Sequence, residues 1–208
     1  MYFRGVCFIS TECSGLPLFD IISTVLRSGV TCIQYREKIL PRREIYRNAV
    51  TLRELTLTFD ATLIINDHAD IALAVDADGV HLGQDDLPLK EARKIMGKKI
   101  IGISTHDLVQ AREADRGGAD YIGFGPIFPT ITKEAGAPKG VDNIRVIKEN
   151  VSIPVVAIGG ISLDTLVSVI DAGADAVAVA SAICKGDIAL NAEKFVRFCR
   201  ENYQDIRS

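Results

Sequence analysis

Eight short runs of apolar, largely β-branched residues recur along the chain, separated by longer segments of mixed polarity. The runs are VCFI (6–9), CIQY (32–35), LIIN (63–66), GVHL (79–82), IIGIS (100–104), YIGF (121–124), VVAI (155–158) and AVAV (176–179). Near-continuous apolar residues are typical of strands in a parallel sheet that is covered on both faces. Helical patterns follow such runs over 43–59, 107–116, 163–172 and 189–203. This alternation predicts a βα repeat built around a parallel sheet.

A weak internal repeat strengthens this prediction. Gly or Ala-Asp precedes several runs, as in SGVTCIQY, ADGVHL, GGADYIGF and AGADAVAV. A glycine at that place can adopt the left-handed conformation that ends a helix, so that the chain turns into the next strand. An open doubly wound sheet is the alternative, but eight evenly spaced units without GxGxxG after the first run favour a closed barrel. We therefore expect an α/β fold, a single-domain (β/α)₈ TIM barrel over residues 1–208.

The composition excludes several classes of protein. The 208 residues include 24 Lys and Arg against 27 Asp and Glu, a net charge of −3, which argues against a nucleic-acid-coating protein. The longest uncharged stretch, residues 151–163, is interrupted by Pro154 and two glycines, whereas a membrane-spanning helix needs about 20 apolar residues. The first residues, MYFRGVCFISTE, lack the apolar core and cleavage pattern of a signal peptide.

The cysteines point to a reducing compartment. There are five, widely scattered and never in a CxxC pair, so they predict neither a zinc site nor a disulfide framework. We expect a cytoplasmic protein that acts on small molecules and binds neither nucleic acid nor membrane. The sequence does not decide between a monomer and a homodimer.

Polar residues and glycines collect at the carboxyl ends of the predicted strands, where the active site of such a barrel lies. The segments concerned are QYREK (34–38), NDH (66–68), HLGQDD (81–86), Ser104, GPIFPTITK (125–133), Gly159–Gly160 and Ala180–Ser181. The opposite junctions carry little beyond glycines that end helices. This asymmetry predicts a functional site at one end of the barrel.

Arg36 and Lys38, just past the second strand, are candidate ligands for a phosphate group. Arginine offers a planar fork of donors and lysine a point charge. The alternative is an ordinary solvated loop. Gln34 favours a site, because an amide within an apolar strand needs a hydrogen-bonding partner.

Asp67 and Asp86 follow neighbouring strands and are candidate metal ligands. Two carboxylates, completed by water and substrate phosphate oxygens, suit Mg²⁺. The alternative is that each aspartate caps the following helix. No third His or Cys is spaced for zinc, so we expect His68 and His81 to be structural or peripheral.

Two further segments predict anion binding. The loop 125–140 is rich in Gly and Pro, and long loops in compact domains are usually functional; it offers Thr130, Thr132 and Lys133. Gly159–Gly160 and Ala180–Ser181 follow the last two strands, where many (β/α)₈ enzymes bind a phosphate through backbone N–H groups. Tight turns alone are the alternative. Together these sites predict two anionic ligands.

Several blocks, in this order and spacing, closely resemble the thiamine phosphate synthase family. They are QYREK, INDHADIALAVDADGVHLGQDDLP, GISTH, GADYIGFGPIFPTITK, IPVVAIGGI and VAVASAI, and they cover the chain from about Val30 to Ile183. The resemblance implies a (β/α)₈ enzyme that joins a hydroxymethylpyrimidine diphosphate to a thiazole phosphate, or its carboxylated form. The products are thiamine phosphate and diphosphate, formed by a dissociative displacement with Mg²⁺ as cofactor.

The resemblance also implies roles for individual residues. The pyrimidine diphosphate would contact Gln34, Tyr35, Arg36, Glu37, Lys38, Asn66, Ser104 and Lys133, and among these the catalytic set would be Arg36, Lys38, Ser104 and Lys133. The thiazole phosphate would contact Thr130, Ile131, Thr132, Gly160, Ala180 and Ser181, and Mg²⁺ would bind Asp67 and Asp86. No general base is required, and catalysis would consist of alignment and charge stabilisation of the departing diphosphate.

Two alternatives stay open from the sequence. A thiazole tautomerase of the same superfamily resembles this chain, but typically lacks the Asn-Asp and GQ-x-D blocks that are present here. A non-catalytic binding or regulatory protein of the thiamine pathway would be expected to have lost Asp67, Asp86 or Lys133, and all three are present.

Overall fold

A computed structural model describes residues 4–11, 13, 15–130 and 136–204 as a closed barrel of eight parallel strands. Each strand pairs with its neighbours in chain order, and the first strand also pairs with the eighth. The strands are β1 (Gly5–Ile9), β2 (Cys32–Tyr35), β3 (Thr62–Asn66), β4 (Gly79–Leu82), β5 (Ile100–Thr105), β6 (Tyr121–Phe124), β7 (Val155–Ile158) and β8 (Ala176–Val179). The predicted (β/α)₈ barrel is confirmed, and every predicted strand agrees within one residue at each end.

Helices lie between consecutive strands and after β8. They are α1 (Leu18–Arg27), α2 (Arg42–Thr58), α3 (Ala69–Ala74), α4 (Leu89–Met96), α5 (Leu108–Gly117), α6 (Asp142–Lys148), α7 (Leu163–Asp171), α8 (Ser181–Cys184) and α9 (Ile188–Gln204). Asp107 caps α5 by accepting a hydrogen bond from the backbone N–H of Gln110, and Ser162 forms a capping box with Thr165 at α7. Among the described helices, none is both long enough and apolar enough to cross a membrane.

The core has two layers. The larger packs the outward side chains of the strands against the helices and includes Phe8, Ile65 and Phe195. The smaller fills the inside of the barrel and includes Cys7 and Tyr121. Both faces of each strand are therefore buried, which explains why the runs are apolar without a clear alternation.

The repeated Ala-Asp before a strand has a structural reason at the amino-terminal end of the barrel. Asp78, Asp120 and Asp175 each accept a hydrogen bond from the backbone N–H of a neighbouring strand, at 2.8, 2.7 and 2.7 Å. Each also forms an ion pair with a helix residue, respectively Arg53, Arg93 and Lys148. A carboxylate at each of these junctions ties two strands and a helix together.

The glycine that precedes this aspartate in GADYIGF and GADAVAV also behaves as predicted. Gly118 has φ 85° and Gly173 has φ 96°, both in the left-handed region. Each follows the end of a helix, α5 and α7 respectively. The repeated motif therefore ends a helix and anchors the strand that follows it.

One expectation about the cysteines is wrong. The sulfur atoms of Cys13 and Cys184 are joined in a disulfide, although the scattered positions predicted none. The two residues are 171 apart in sequence, but the loop after β1 lies beside α8 because β1 pairs with β8. Closure of the barrel creates a proximity that spacing along the chain does not reveal.

Candidate active site

The predicted site residues gather at the carboxyl end of the barrel, around a cavity of about 500 Å³. Its lining includes these residues from the sequence prediction: Arg36, Lys38, Asn66, Asp67, Asp86, Ser104 and Thr130. They come from the ends of β2, β3, β4, β5 and β6, and the closed barrel brings these ends together. A single pocket therefore collects cations, carboxylates and an amide from distant parts of the chain.

A second cavity of about 340 Å³ adjoins the first and lies over β7 and β8. It is lined by Gly160, Ala180 and Ser181, which were predicted to bind the thiazole phosphate. Arg36 and Thr130 line both cavities. Two ligands could thus lie side by side, with Arg36 next to both.

The two cationic side chains after β2 are held differently. The Lys38 ammonium lies 2.6 Å from a carboxylate oxygen of Asp67, which places it beside the candidate metal ligands. Arg36 is held through its backbone, since its N–H donates to the Ser10 hydroxyl at 2.8 Å and its carbonyl accepts from that hydroxyl at 3.1 Å. The role of Ser10 was not predicted from the sequence.

Tyr35 and Glu37 lie apart from the central cavity. The Tyr35 ring is buried beside α2, where its hydroxyl accepts a hydrogen bond from the Asn48 amide at 3.1 Å. A carboxylate oxygen of Glu37 accepts hydrogen bonds from the backbone N–H groups of Ile39 and Leu40, which shapes the loop after β2. Both line a separate pocket between the first two helices, so their predicted contact with substrate stays a prediction.

Asp67 and Asp86 are brought together at the rim of the larger cavity. Burial raises the pKa of Asp86 above its ordinary value; the N–H of Gly83, 2.7 Å away, lowers it, and the neighbouring carboxyl group of Asp67 raises it again. Asp67 has φ 65°, a left-handed conformation that is uncommon outside glycine and clusters at functional sites. Its N–H donates to the His81 carbonyl at 2.8 Å.

The helix-capping alternative for these aspartates is not observed. The residue that precedes α3 is His68 and the residue that precedes α4 is Pro88, and neither helix has a side-chain cap. Within the described part of the chain, no group of three His, Cys, Asp or Glu side chains could hold a metal ion. A cation at this rim would depend on two carboxylates, water and substrate oxygens, a donor set that suits Mg²⁺.

Two glycines allow the loop after β6 to pack on the strand ends. A Cβ on Gly159 would lie 2.5 Å from Cβ of Pro126, and a Cβ on Gly160 would lie 2.5 Å from the Pro129 carbonyl oxygen. The loop also donates backbone N–H groups of Ile127 and Phe128 to the ends of β7. The structure therefore gives a packing reason for Gly160, and the backbone cradle for a phosphate stays a prediction. Ile131, Thr132 and Lys133 lie outside the described residues.

Two polar residues that line the cavity, Gln84 and His106, were missed from the sequence, and so was the contact of His81 with Ser104. The Gln84 amide donates to the Ser104 carbonyl at 2.6 Å, and His106 contacts the Gly125 carbonyl at 2.8 Å. His81, expected to be structural or peripheral, lies inside the barrel with Nε2 2.8 Å from the Ser104 hydroxyl. The motifs HLGQDD and GISTH place these residues near strand ends, but the directions of their side chains depend on closure of the barrel.

A family profile described as thiamine monophosphate synthase matches residues 6–183 of this chain. The chain belongs to this family. It is 48% identical to the thiamine-phosphate synthase of Chloroflexus aurantiacus, over 85% of this chain and 82% of that protein. It is 53% identical to the thiamine-phosphate synthase of Halalkalibacterium halodurans, over 78% of each.

A solved structure gives the same result for the fold. A thiamine phosphate pyrophosphorylase from Pyrococcus furiosus superposes with a TM-score of 0.87 at 37% identity, over 100% of this chain and 98% of that one. The family resemblance seen in the sequence is confirmed. These similarities favour a synthase over the tautomerase and non-catalytic alternatives.

Proposed function

We propose that this chain is a thiamine phosphate synthase. It would join a hydroxymethylpyrimidine diphosphate to a thiazole phosphate, giving thiamine phosphate and diphosphate. The observation that carries this assignment is the pair of adjoining cavities at the carboxyl end of the barrel. One offers cations and carboxylates, the other glycines and a serine, and Arg36 is shared between them.

The coupling reaction requires stabilisation of the negative charge on the leaving diphosphate rather than proton transfer. The bond between the pyrimidine methylene carbon and the diphosphate oxygen breaks, and its electron pair leaves with the diphosphate. The lone pair of the thiazole nitrogen then forms the new carbon–nitrogen bond. Groups that stabilise the growing negative charge and align the nitrogen are sufficient.

The cationic residues are placed for the first task. Arg36 lines both cavities, so its guanidinium group can contact the diphosphate while it borders the thiazole site. Lys38 lies at the aspartate pair and adds a second positive charge. Lys133, outside the described residues, is proposed as a third on the basis of the family resemblance.

The pyrimidine would lie deeper in the larger cavity. Asn66 is the last residue of β3, Ser104 is the last but one of β5, and both line this cavity. Asn66 is almost fully buried, so a substrate that enters the cavity would replace water around its amide. Buried amides and hydroxyls with few alternative partners fix the orientation of a polar ring.

We propose Mg²⁺ as the cofactor, held by Asp67 and Asp86. The two carboxyl groups are close enough to repel each other when both are ionised, and a divalent cation would remove that repulsion. When bound, the cation would supply positive charge to the leaving diphosphate. Preference for the carboxylated thiazole phosphate and assembly as a homodimer are left to experiment.

The proposed function is tested by incubating the purified protein with both substrates and MgCl₂ and measuring thiamine phosphate by chromatography. Product should form only with both substrates, and EDTA should abolish it. Absence of product under saturating substrates and Mg²⁺ would refute the assignment.

A further inference from the structure

A chain of polar side chains crosses the otherwise apolar interior of the barrel. Nδ1 of His81 lies 2.9 Å from the Tyr121 hydroxyl, and Nε2 of the same ring lies 2.8 Å from the Ser104 hydroxyl. The side chain of Gln34 also hydrogen-bonds the Tyr121 hydroxyl. We call Gln34, Tyr121, His81 and Ser104 the interior relay. Ser104 is the member that lines the candidate active site.

Two glycines make room for the relay. In the strand register His81 stands beside Gly102, and Gly102 beside Tyr121. A Cβ on Gly102 would lie 2.1 Å from Cζ of Tyr121, and a Cβ on Gly123 would lie 3.0 Å from Cε1 of His81. The tyrosine therefore reaches across a glycine to contact the histidine on the next strand but one. The backbone of two strands is adapted to this one set of contacts.

The hydrogen bonds of the relay run in a defined direction. Nδ1 of His81 faces the Tyr121 hydroxyl and Nε2 faces the Ser104 hydroxyl, so each ring nitrogen has its own partner. The Gln34 side chain donates to the phenol oxygen of Tyr121, and an imidazole whose Nδ1 accepts a hydrogen bond carries its N–H on Nε2. The phenol proton then points to Nδ1 of His81. The remaining N–H, on Nε2, donates to the oxygen of Ser104.

This arrangement leaves the Ser104 proton free of the histidine. A serine hydroxyl has one donor and can accept two hydrogen bonds. Because His81 uses an acceptor position of Ser104, the hydroxyl can present its proton to the cavity. If the imidazole had the opposite tautomer, the serine would donate to the histidine and present only lone pairs to a ligand.

We propose that His81 and Tyr121 are positioning residues that hold the Ser104 hydroxyl as a hydrogen-bond donor toward the pyrimidine substrate. The site would thereby select a substrate with an acceptor atom at that position. The inference rests on the proposed function only in naming the pyrimidine diphosphate as the ligand of the larger cavity. Neither His81 nor Tyr121 needs to touch the substrate.

The test is a double-mutant cycle on Tyr121→Phe and Ser104→Ala, with the pyrimidine diphosphate titrated by calorimetry in the presence of Mg²⁺. Each single variant should weaken binding about tenfold, the effect of one misdirected or lost hydrogen bond. The double variant should bind no more weakly than Ser104→Ala alone, because Tyr121 acts only through the serine. Thiazole phosphate affinity should stay at the parental value in all three.

Tyr203→Phe is the matched control. It also removes a buried tyrosine hydroxyl, one that has no hydrogen-bond partner among the described residues, at the amino-terminal end of the barrel. It should bind the pyrimidine diphosphate like the parent. A loss equal to that of Tyr121→Phe would show a general effect of removing buried hydroxyls and would overturn the proposal.

A second measurement keeps the proposal testable if Tyr121→Phe does not fold. Nitrogen-15 NMR of the parent should show His81 protonated at Nε2 and unprotonated at Nδ1. The opposite tautomer would overturn the proposal, as would parental affinity in Tyr121→Phe or additive losses that reach about a hundredfold in the double variant.

Failure of the relay and failure of the proposed function have different signatures. A parent that makes thiamine phosphate but shows additive losses refutes the relay alone. A parent that shows the predicted binding cycle but forms no thiamine phosphate refutes the function alone. A parent that does not bind the pyrimidine diphosphate refutes both.

Discussion

Acidification should destabilise this protein through His81, which lies fully enclosed in the barrel interior. Burial lowers the pKa of this histidine from 6.5 to about 4 in the folded state, and the charge of Asp86 raises it only in part. When the pKa of a histidine is lower in the folded than in the unfolded chain, its full contribution to stability is present at a pH above the unfolded pKa. That contribution is lost as the pH falls from about 6.5 toward 4, because the unfolded chain takes up the proton more readily.

The magnitude follows from the difference between the two pKa values. One unit corresponds to about 1.4 kcal/mol, so the free energy of unfolding should fall by about 2 kcal/mol between pH 7 and pH 5 from this group alone. By pH 4 the loss should approach about 3 kcal/mol. This is a large fraction of a typical stability of about 5–15 kcal/mol.

Urea unfolding at pH 7, 5 and 4 would measure the effect in the parent and in His81→Asn. The variant should be less stable at pH 7, since it loses the contact with Ser104, but it should lack this part of the pH dependence. His106→Asn is the control, because the His106 side chain is exposed and the variant should keep the parental fall. Parallel pH profiles for the parent and His81→Asn would refute the reasoning.

Four further variants test the site. Asp67→Asn or Asp86→Asn should weaken Mg²⁺-dependent binding of the pyrimidine diphosphate by calorimetry and leave thiazole phosphate affinity near the parental value; equal losses would make the pair structural. Gly160→Ala should raise the thiazole phosphate KM, because the new Cβ displaces the loop at Pro129. Gly118→Ala is the control: a Cβ at this residue, with φ 85°, meets no atom within 4 Å, so the change should strain the backbone without changing KM. An unchanged KM in folded Gly160→Ala would place that phosphate elsewhere. Lys133→Ala should lower kcat by roughly 10²–10³ and melt like the parent; a parental kcat would contradict its proposed action on the departing diphosphate.

The strands and the end of the barrel that carries the site were predictable because both depend on local patterns. A strand buried on two faces must be apolar throughout, and the carboxyl ends of parallel strands must share one side of the barrel. Asp67 and Asp86 followed from this logic, since Asp67 comes directly after β3 and Asp86 lies in the loop after β4. Their proximity in the structure agrees with the prediction of neighbouring strand ends.

The remaining features depend on closure of the barrel. Cys13 and Cys184 meet only because the first strand pairs with the last. The contacts of His81 depend on the pairing register of β4 and β5, which places it beside Gly102. That register cannot be predicted from the spacing of residues or from the composition. Tyr35 shows that a match to QYREK does not give the direction of a side chain, because its ring packs toward α2; its contact with substrate stays a prediction.

If the two substrates react across the adjoining cavities, each diphosphate released should be matched by one thiamine phosphate. Diphosphate and thiamine phosphate should be quantified together in a time course with both substrates and MgCl₂. We expect equal amounts of the two products at every time, and no thiamine phosphate when the thiazole phosphate is omitted. Release of diphosphate without a matching amount of thiamine phosphate, when both substrates are saturating, would contradict it.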